Sequence, residues 1–193
     1  MLPVMLDVKD RAVLIAGGGR VALRKAKTLL AEGADVTVVS PKITSGFKEL
    51  NINYIHEEYS PDLLRGKFIV IAATDSRLVN AEIISDAVSA GVLCMSVSDC
   101  VAGDFISMAY ERSGMITAAV STGGCFPKLA RKMRHELRRI CEENAADCAE
   151  LSCLRLRVIE EIPDSEKRGR IMDELMECSG DRQTLYTRLR DVD

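Results

Sequence analysis

Short runs of aliphatic and β-branched residues alternate with stretches of helical period over the first half of the chain. Ala12–Ala16 (AVLIA) is apolar throughout and too short for a helix, so it reads as a buried parallel strand. A helical period follows, with Leu23, Ala26, Leu29 and Leu30 on one face and Arg24, Lys25 and Lys27 on the other. Gly33 stands where a helix C-cap belongs, and residues 35–40 read as the second strand. Asn53–His56 reads as a third strand, Asp62–Leu64 as a helical turn and Phe68–Ala73 (FIVIAA) as another apolar strand. A helix is predicted over 77–90, with Ile83, Ile84, Ala87 and Val88 as its buried stripe, ending at Gly91 before a strand over 92–97. Val4–Leu6 reads as a short extended segment leading into a turn at residues 7–10. This strand–helix–strand order predicts an α/β fold, a mainly parallel, doubly wound, Rossmann-like sheet.

Beyond residue 98 the pattern changes. Residues 105–110 and 115–120 alternate loosely around Arg112-Ser113-Gly114, which predicts a hairpin. A small-residue loop, Ser121 to Pro127, feeds a helix over 128–140 with proline near its first turn. That helix carries Lys128, Arg131, Lys132, Arg134, Arg138 and Arg139, with Leu129, Met133 and Leu137 on one side. Residues 145–193 read as wholly helical. Leu151, Leu154, Val158 and Ile159 form one stripe, ended by Pro163; Ile171, Leu175 and Met176 form a second, and Leu185 and Leu189 a third. Packing, against its own chain or a partner, is the plainest role for this tail. The expected organisation is a nucleotide-binding domain over 1–104, a hairpin with a basic helix over 105–144 and a helical domain over 145–193.

A chain of 193 residues, 47% hydrophobic and 28% charged with a formal net charge of −3, buries a full core and argues against a general nucleic-acid binder. Four Tyr, four Phe and no Trp also argue against a base-stacking platform. The seven cysteines, at 94, 100, 125, 141, 148, 153 and 178, form no Cys-x-x-Cys pair, and only His56 and His135 accompany them. No metal site is therefore expected, and an odd cysteine count without a secretory pattern points to a reducing cytoplasm. No apolar run approaches membrane-spanning length, so no membrane attachment is expected.

The chemistry sits at the first strand–helix junction. Gly17-x-Gly19-x-x-Ala22 follows a predicted strand, opens a helix and precedes a second strand, the context a dinucleotide fingerprint requires. Gly17 permits the tight turn, Gly19 admits a pyrophosphate against the backbone, and Ala22 allows close packing of helix on strand. The phosphates then meet the unpaired N–H groups of the helix start. The alternative is a tight turn that binds nothing. At the end of the second strand an acidic residue usually holds the adenosine ribose; here Ser40 can donate one hydrogen bond and Lys42 can meet a phosphate. Residue chemistry alone leaves NAD and NADP both open. Thr74 and Asp75 stand at a strand's carboxyl end, where ligands of such sheets collect, although Asp75 is equally an N-cap candidate.

Taken together, VMLDVKDRAVLIAGGGRVALRKAKTLLAEGADVTVVSP, FIVIAATDSRLVN, Asp99, Phe105-Ile106 and AAVSTGGCFPKLARKMRHEL resemble the precorrin-2 dehydrogenase family, the module also found at the start of bifunctional sirohaem synthases. The match runs from residue 4 to about 140, and its AATD, STGG and P-x-LA-R elements are far more specific than the glycine pattern. The resemblance implies NAD-dependent oxidation of precorrin-2 to sirohydrochlorin, in some members followed by insertion of Fe2+, on a homodimer with an interdigitated dimerisation region. It implies that Gly17, Gly18, Gly19, Arg20, Val21, Ser40, Pro41 and Lys42 line the NAD site, with Thr74 and Asp75 on the nicotinamide side. Asp99 falls on the family's catalytic aspartate, and a carboxylate there can accept the proton lost with the hydride. Its bland reading is a turn residue after a strand.

The tetrapyrrole substrate carries several carboxylates. Ser121, Thr122 and Gly123, with Lys128 and Arg131 at a positive helix end, are the candidate substrate contacts; a solvated helix face is the alternative for the charges. The chain departs from the family pattern at Ser96, commonly Asn, at Met108, commonly Pro, and in the loop 99–104, which lacks a proline and is one residue shorter. Asp104 is accordingly a rival to Asp99 as proton acceptor. His135 is more readily a surface residue than an iron contact. Thr122 matches a position that can be phosphorylated in some members. The competing functional class is a non-catalytic NAD-sensing regulatory domain, which would need a DNA-reading helix pair or a membrane attachment.

Overall fold

In the computed structural model, which describes residues 1–99 and 102–191, five parallel strands form one sheet. Cys100 and Val101, within the loop that departs from the family pattern, lie outside the described residues. The strands are β1 Ala12–Ala16, β2 Asp35–Val39, β3 Asn53–Ile55, β4 Ile69–Ala72 and β5 Leu93–Ser96, in the order β3-β2-β1-β4-β5. Their register places Ile55, Val39, Ala16, Ala72 and Ser96 in one row, so all five strands end level. Every loop that follows a strand therefore leaves the same edge. The order reverses at β1, which makes this edge the place where such sheets take ligands.

The apolar strands are buried on both faces. Val13, Ile15, Val36, Val38 and Ile71 pack under helix α1 (Arg20–Ala31) with its Ala22 and Ala26. On the opposite face Leu14, Ala16, Val70 and Cys94 meet Ile83 and Ala87 of helix α2 (Arg77–Ala90). Each fully buried Leu or Ile of these clusters contributes roughly 1.5–3 kcal/mol relative to exposure.

Several expectations shift. On α2 the buried stripe is Asn80, Ile83 and Ala87, while Val88 is 64% exposed, because positions 80, 83 and 87 share a face that 88 leaves by one helical step. Lys25, expected on the solvent face of α1, is half-buried and donates from Nζ to Ser107 Oγ at 2.5 Å. Burial, with Arg24 beside it, brings its pKa down to about 8. Val4–Leu6 joins no strand and is exposed. A 3-10 turn over Ser45–Glu49, which no periodicity announced, buries Phe47.

The chain divides into two compact units, Met1–Ser107 and Met108–Asp193. The second holds an antiparallel hairpin, β6 Ala109–Ser113 and β7 Ile116–Val120, and helices α3 Pro127–Glu161, α4 Ser165–Glu177 and α5 Arg182–Asp191. The hairpin starts later than expected because Gly103 bridges to Met95 and Asp104 N–H donates to Cys94 O at 2.8 Å. The basic helix, expected over 128–140, continues to Glu161 and crosses the boundary expected after residue 144. No glycine or proline interrupts it before Pro163. Leu154, Val158 and Ile162 then build a small core with Ile171 and Leu175 of α4 and Tyr186 of α5. Met176 and Ile159, expected in buried stripes, are 70% and 45% exposed. The buried Arg182 closes this core, donating to Asp147 and Glu150 at 3.1 and 2.8 Å. Among the described residues no helix is long and apolar enough to cross a membrane, and Cys94, Cys125, Cys141, Cys148, Cys153 and Cys178 are free thiols.

Candidate dinucleotide site

The loop Gly17-Gly18-Gly19 joins β1 to α1 at the level edge of the sheet, and its three positions do three different things. Gly17 adopts φ +124°, open in practice to glycine alone, and a Cβ there would overlap the Ala73 carbonyl that follows β4. A Cβ on Gly18 would overlap the Lys42 carbonyl in the loop after β2. Thr44 N–H also donates to Gly18 O at 2.9 Å, and Gly17 N–H to Val39 O at 2.8 Å. The glycine loop thus sits directly on the two neighbouring loops. At Gly19 the situation is opposite: a Cβ would meet nothing within 4 Å.

That open space lies over the start of α1, where Gly19 is the N-cap and no side chain caps the first turn. Open volume, backbone N–H donors and a helix N-terminus are the fittings a pyrophosphate requires. Ala22 is fully buried against the sheet, so helix and strand approach closely. Arg20 is exposed on the first turn, and Val21 offers an apolar surface 38% exposed beside it. The residues present fit a dinucleotide.

After β2, Ser40 is buried and its hydroxyl donates to Lys42 O at 2.7 Å, so its one donor shapes the loop. Two residues of the third strand region, which the sequence reading did not assign to the site, hold this loop from below. Tyr54 donates its hydroxyl to Ser40 O at 3.0 Å, and His56 donates from Nε2 to Pro41 O at 2.5 Å while the two rings stack at 5.8 Å. Pro41 and Lys42 are exposed on the resulting turn.

After β4, Thr74 is half-buried and Asp75 exposed. Asp75 does not cap α2; Ser76 does, accepting from Val79 N–H at 3.3 Å. Thr74 is held by Asn80, a further residue missed in sequence because it occupies a position of the helical stripe next to apolar Ile83.

After β5, Asp99 is exposed, its N–H donating to Ser96 Oγ and its Oδ1 accepting from Ala102 N–H, both at 3.3 Å. It lines a small cleft of ≈ 110 Å³ with Arg77, Asn80, Ser96 and Ser98. The rival Asp104 is engaged elsewhere. Its Oδ2 accepts from Cys94 N–H at 2.9 Å and from the Cys94 thiol at 3.3 Å, pinning the segment along β5. Burial foremost, then the Asp104 hydrogen bond, pushes the Cys94 thiol pKa up.

In the second unit the loop between β7 and α3 is internally tied: Gly123 N–H donates to Ser121 Oγ and Phe126 N–H to Thr122 Oγ1, each at 3.1 Å. On α3 the basic residues sort into two groups. Arg134 and Arg138 meet Glu111 of β6 at 2.9 and 3.2 Å, and Arg139 meets Glu143 at 3.0 Å. Lys128, Arg131 and Lys132, on the first turns, are exposed and make no ion pair among the described residues. These cations stand at the positive end of a 35-residue helix, an arrangement that suits anionic groups. His135 is exposed on the same helix.

The family described as "Putative NAD(P)-binding" matches residues 4–109. The Siroheme synthase of Chromobacterium violaceum is 34% identical over 180 residues, 91% of this chain and 38% of that protein. Siroheme synthase 2 of Aeromonas hydrophila is 38% identical over 153 residues, 78% of this chain and 33% of that protein. The chain thus spans well under half the length of these curated relatives. Among solved structures, "SirC, precorrin-2 dehydrogenase" matches over 100% of both chains with a TM-score of 0.79 at 22% identity, a likeness of fold. With a family match over residues 4–109, more than half its length, the chain belongs to the family described as putative NAD(P)-binding, and over that stretch it is similar to the siroheme synthases.

Proposed function

We propose that this protein oxidises precorrin-2 to sirohydrochlorin with NAD as hydride acceptor. The observation that carries the proposal is the open space over Gly19 at the uncapped start of α1, on the same level edge of the sheet as Asp99. When bound, NAD supplies the carbon that accepts the hydride. Arg20, Val21 and the first N–H groups of α1 bind the diphosphate end, and the loop Ser40-Pro41-Lys42 takes the adenosine ribose. Thr74 and Asp75 flank the nicotinamide side. Loss of a hydride from the reduced macrocycle leaves a proton to be removed, and the Asp99 carboxylate takes it and passes it to water. Asp99 is favoured over Asp104 because Asp99 lines the cleft with Asn80, Ser96 and Ser98, whereas Asp104 is tied to Cys94 of β5 and does not line it.

In the second unit Lys128, Arg131 and the N–H groups of the loop Ser121-Thr122-Gly123 are assigned to the substrate's carboxylates. An exposed apolar stripe, Phe126, Leu129, Met133 and Ile140, between 43% and 59% exposed, is assigned to a second copy of the chain as the homodimer seam. Ferrous iron is a second substrate in this proposal, since insertion needs the pyrrole N–H protons removed and the same carboxylate can take them. The reducing interior of a cell suits the free thiols.

The test is anaerobic turnover of purified protein with precorrin-2 and NAD, read by NADH absorbance, in arms with and without Fe2+. NADH formed one-for-one with sirohydrochlorin supports the proposal. NAD binding with no NADH at any substrate level supports a sensing domain instead.

A further inference from the structure

Asn80 is 1% exposed, yet all four of its hydrogen-bonding sites are used. Its Oδ1 accepts from Thr74 N–H at 3.0 Å and from the Thr74 hydroxyl at 2.7 Å. Its Nδ2 donates to Thr74 O at 3.2 Å and to Ser98 Oγ at 3.0 Å. From Ser98 the chain of bonds continues to Ser96 Oγ at 3.1 Å, and Ser96 Oγ accepts the N–H of Asp99 at 3.3 Å. Thr74 and Asp99 belong to two different loops, after β4 and after β5. One buried amide therefore links the two loops that flank the cleft.

The stripe position that Asn80 occupies would accept an aliphatic residue, as at Ile83 and Ala87. An amide there is tolerated only because every donor and acceptor is met; leaving one unmet costs about 1–3 kcal/mol. Such a fully satisfied network rigidifies what it connects. We infer that Asn80, acting through Ser98 and Ser96, is a positioning residue that sets Asp99 against Thr74. This rests on the assignment of Asp99 as proton acceptor. It never touches the reacting atoms itself. A displacement of about 1 Å in a catalytic group costs on the order of 100-fold in rate, so a link of this kind registers in kcat.

Ser98→Ala is the cleanest cut, because Ser98 is exposed and its loss leaves the Thr74–Asn80 bonds in place. The expected result is a kcat about tenfold lower, a shifted acid limb in the pH profile of kcat, a modest drop in melting temperature from the Asn80 Nδ2 donor left unmet, and an unchanged NAD dissociation constant. Ser98→Thr, which keeps the hydroxyl, restores the rate. Asn80→Asp, which keeps the shape and loses the Nδ2 donors, lowers kcat at least as far. Wild-type kcat and pH profile in Ser98→Ala overturn the positioning role. Asp99→Asn run alongside separates the two claims. If it is inactive while Ser98→Ala is normal, only the positioning role falls. If Asp99→Asn turns over at the wild-type rate, or the wild type makes no NADH, the assignment of Asp99 falls and the positioning role with it.

Discussion

The carbonyl oxygen of Ala73 occupies the space in which any residue but glycine at position 17 would carry its Cβ. Two loops are thereby pressed together at the reversal point of the sheet, and Gly17 at φ +124° is the price of that closeness. Gly17→Ala combines a strained backbone with an overlap that only main-chain movement relieves. It is expected to destabilise the first unit by roughly 3 kcal/mol or more. Urea denaturation measures it, and a midpoint equal to wild type would contradict the packing described.

Lys25 gives a pH-dependent signature. Its folded pKa, about 8, lies below its ordinary value, so between the two the unfolded chain holds the extra proton and stability rises with pH. At neutral pH the buried ammonium is a cost in full. Lys25→Met is therefore expected to melt higher than wild type at pH 7, and the gap to narrow as pH climbs from about 8 towards 10. A gap constant across that range would show that Lys25 is solvated.

Glu111 behaves in the opposite sense. The Arg138 hydrogen bond foremost, aided by Arg134, holds its carboxyl below the usual glutamate range. Its contribution is present above the ordinary glutamate value and lost as pH falls through the lowered one. Glu111→Gln is expected to lower the melting temperature at pH 7, and the two proteins to converge in acid. Equal melting temperatures at pH 7 would leave the hairpin held on α3 by other contacts.

The exposed apolar stripe along α3 is the proposed homodimer seam. Leu129→Asp combined with Met133→Asp is expected to convert a dimer into a monomer in sedimentation velocity, with circular dichroism unchanged. A wild-type monomer at micromolar concentration would refute the proposed seam.

The parallel sheet was legible because strands buried on both faces carry unbroken apolar runs, as in AVLIA and IVIA. The glycine loop was legible in outline, since Gly17 sits where a tight turn must. The load on Gly18 was not, because its neighbour Lys42 is contributed by a loop distant in sequence. Asn80 was invisible for a related reason: a helical period ranks positions by polarity, and the amide's partners Thr74 and Ser98 are supplied by two strand ends. Lys25 was misassigned to solvent because charge predicts exposure unless a tertiary partner such as Ser107 is known. The length of α3 was readable from the lack of any breaker between Pro127 and Pro163; the change in surface character near residue 144 obscured it.

Calorimetric titration of NAD into wild type and Gly19→Val, with melting temperatures taken on the same samples, tests the cradle most directly. The space above Gly19 is empty of protein, so the substitution is expected to leave the melting temperature nearly unchanged while weakening NAD at least tenfold. Equal dissociation constants in the two proteins would mean that no diphosphate lies over Gly19.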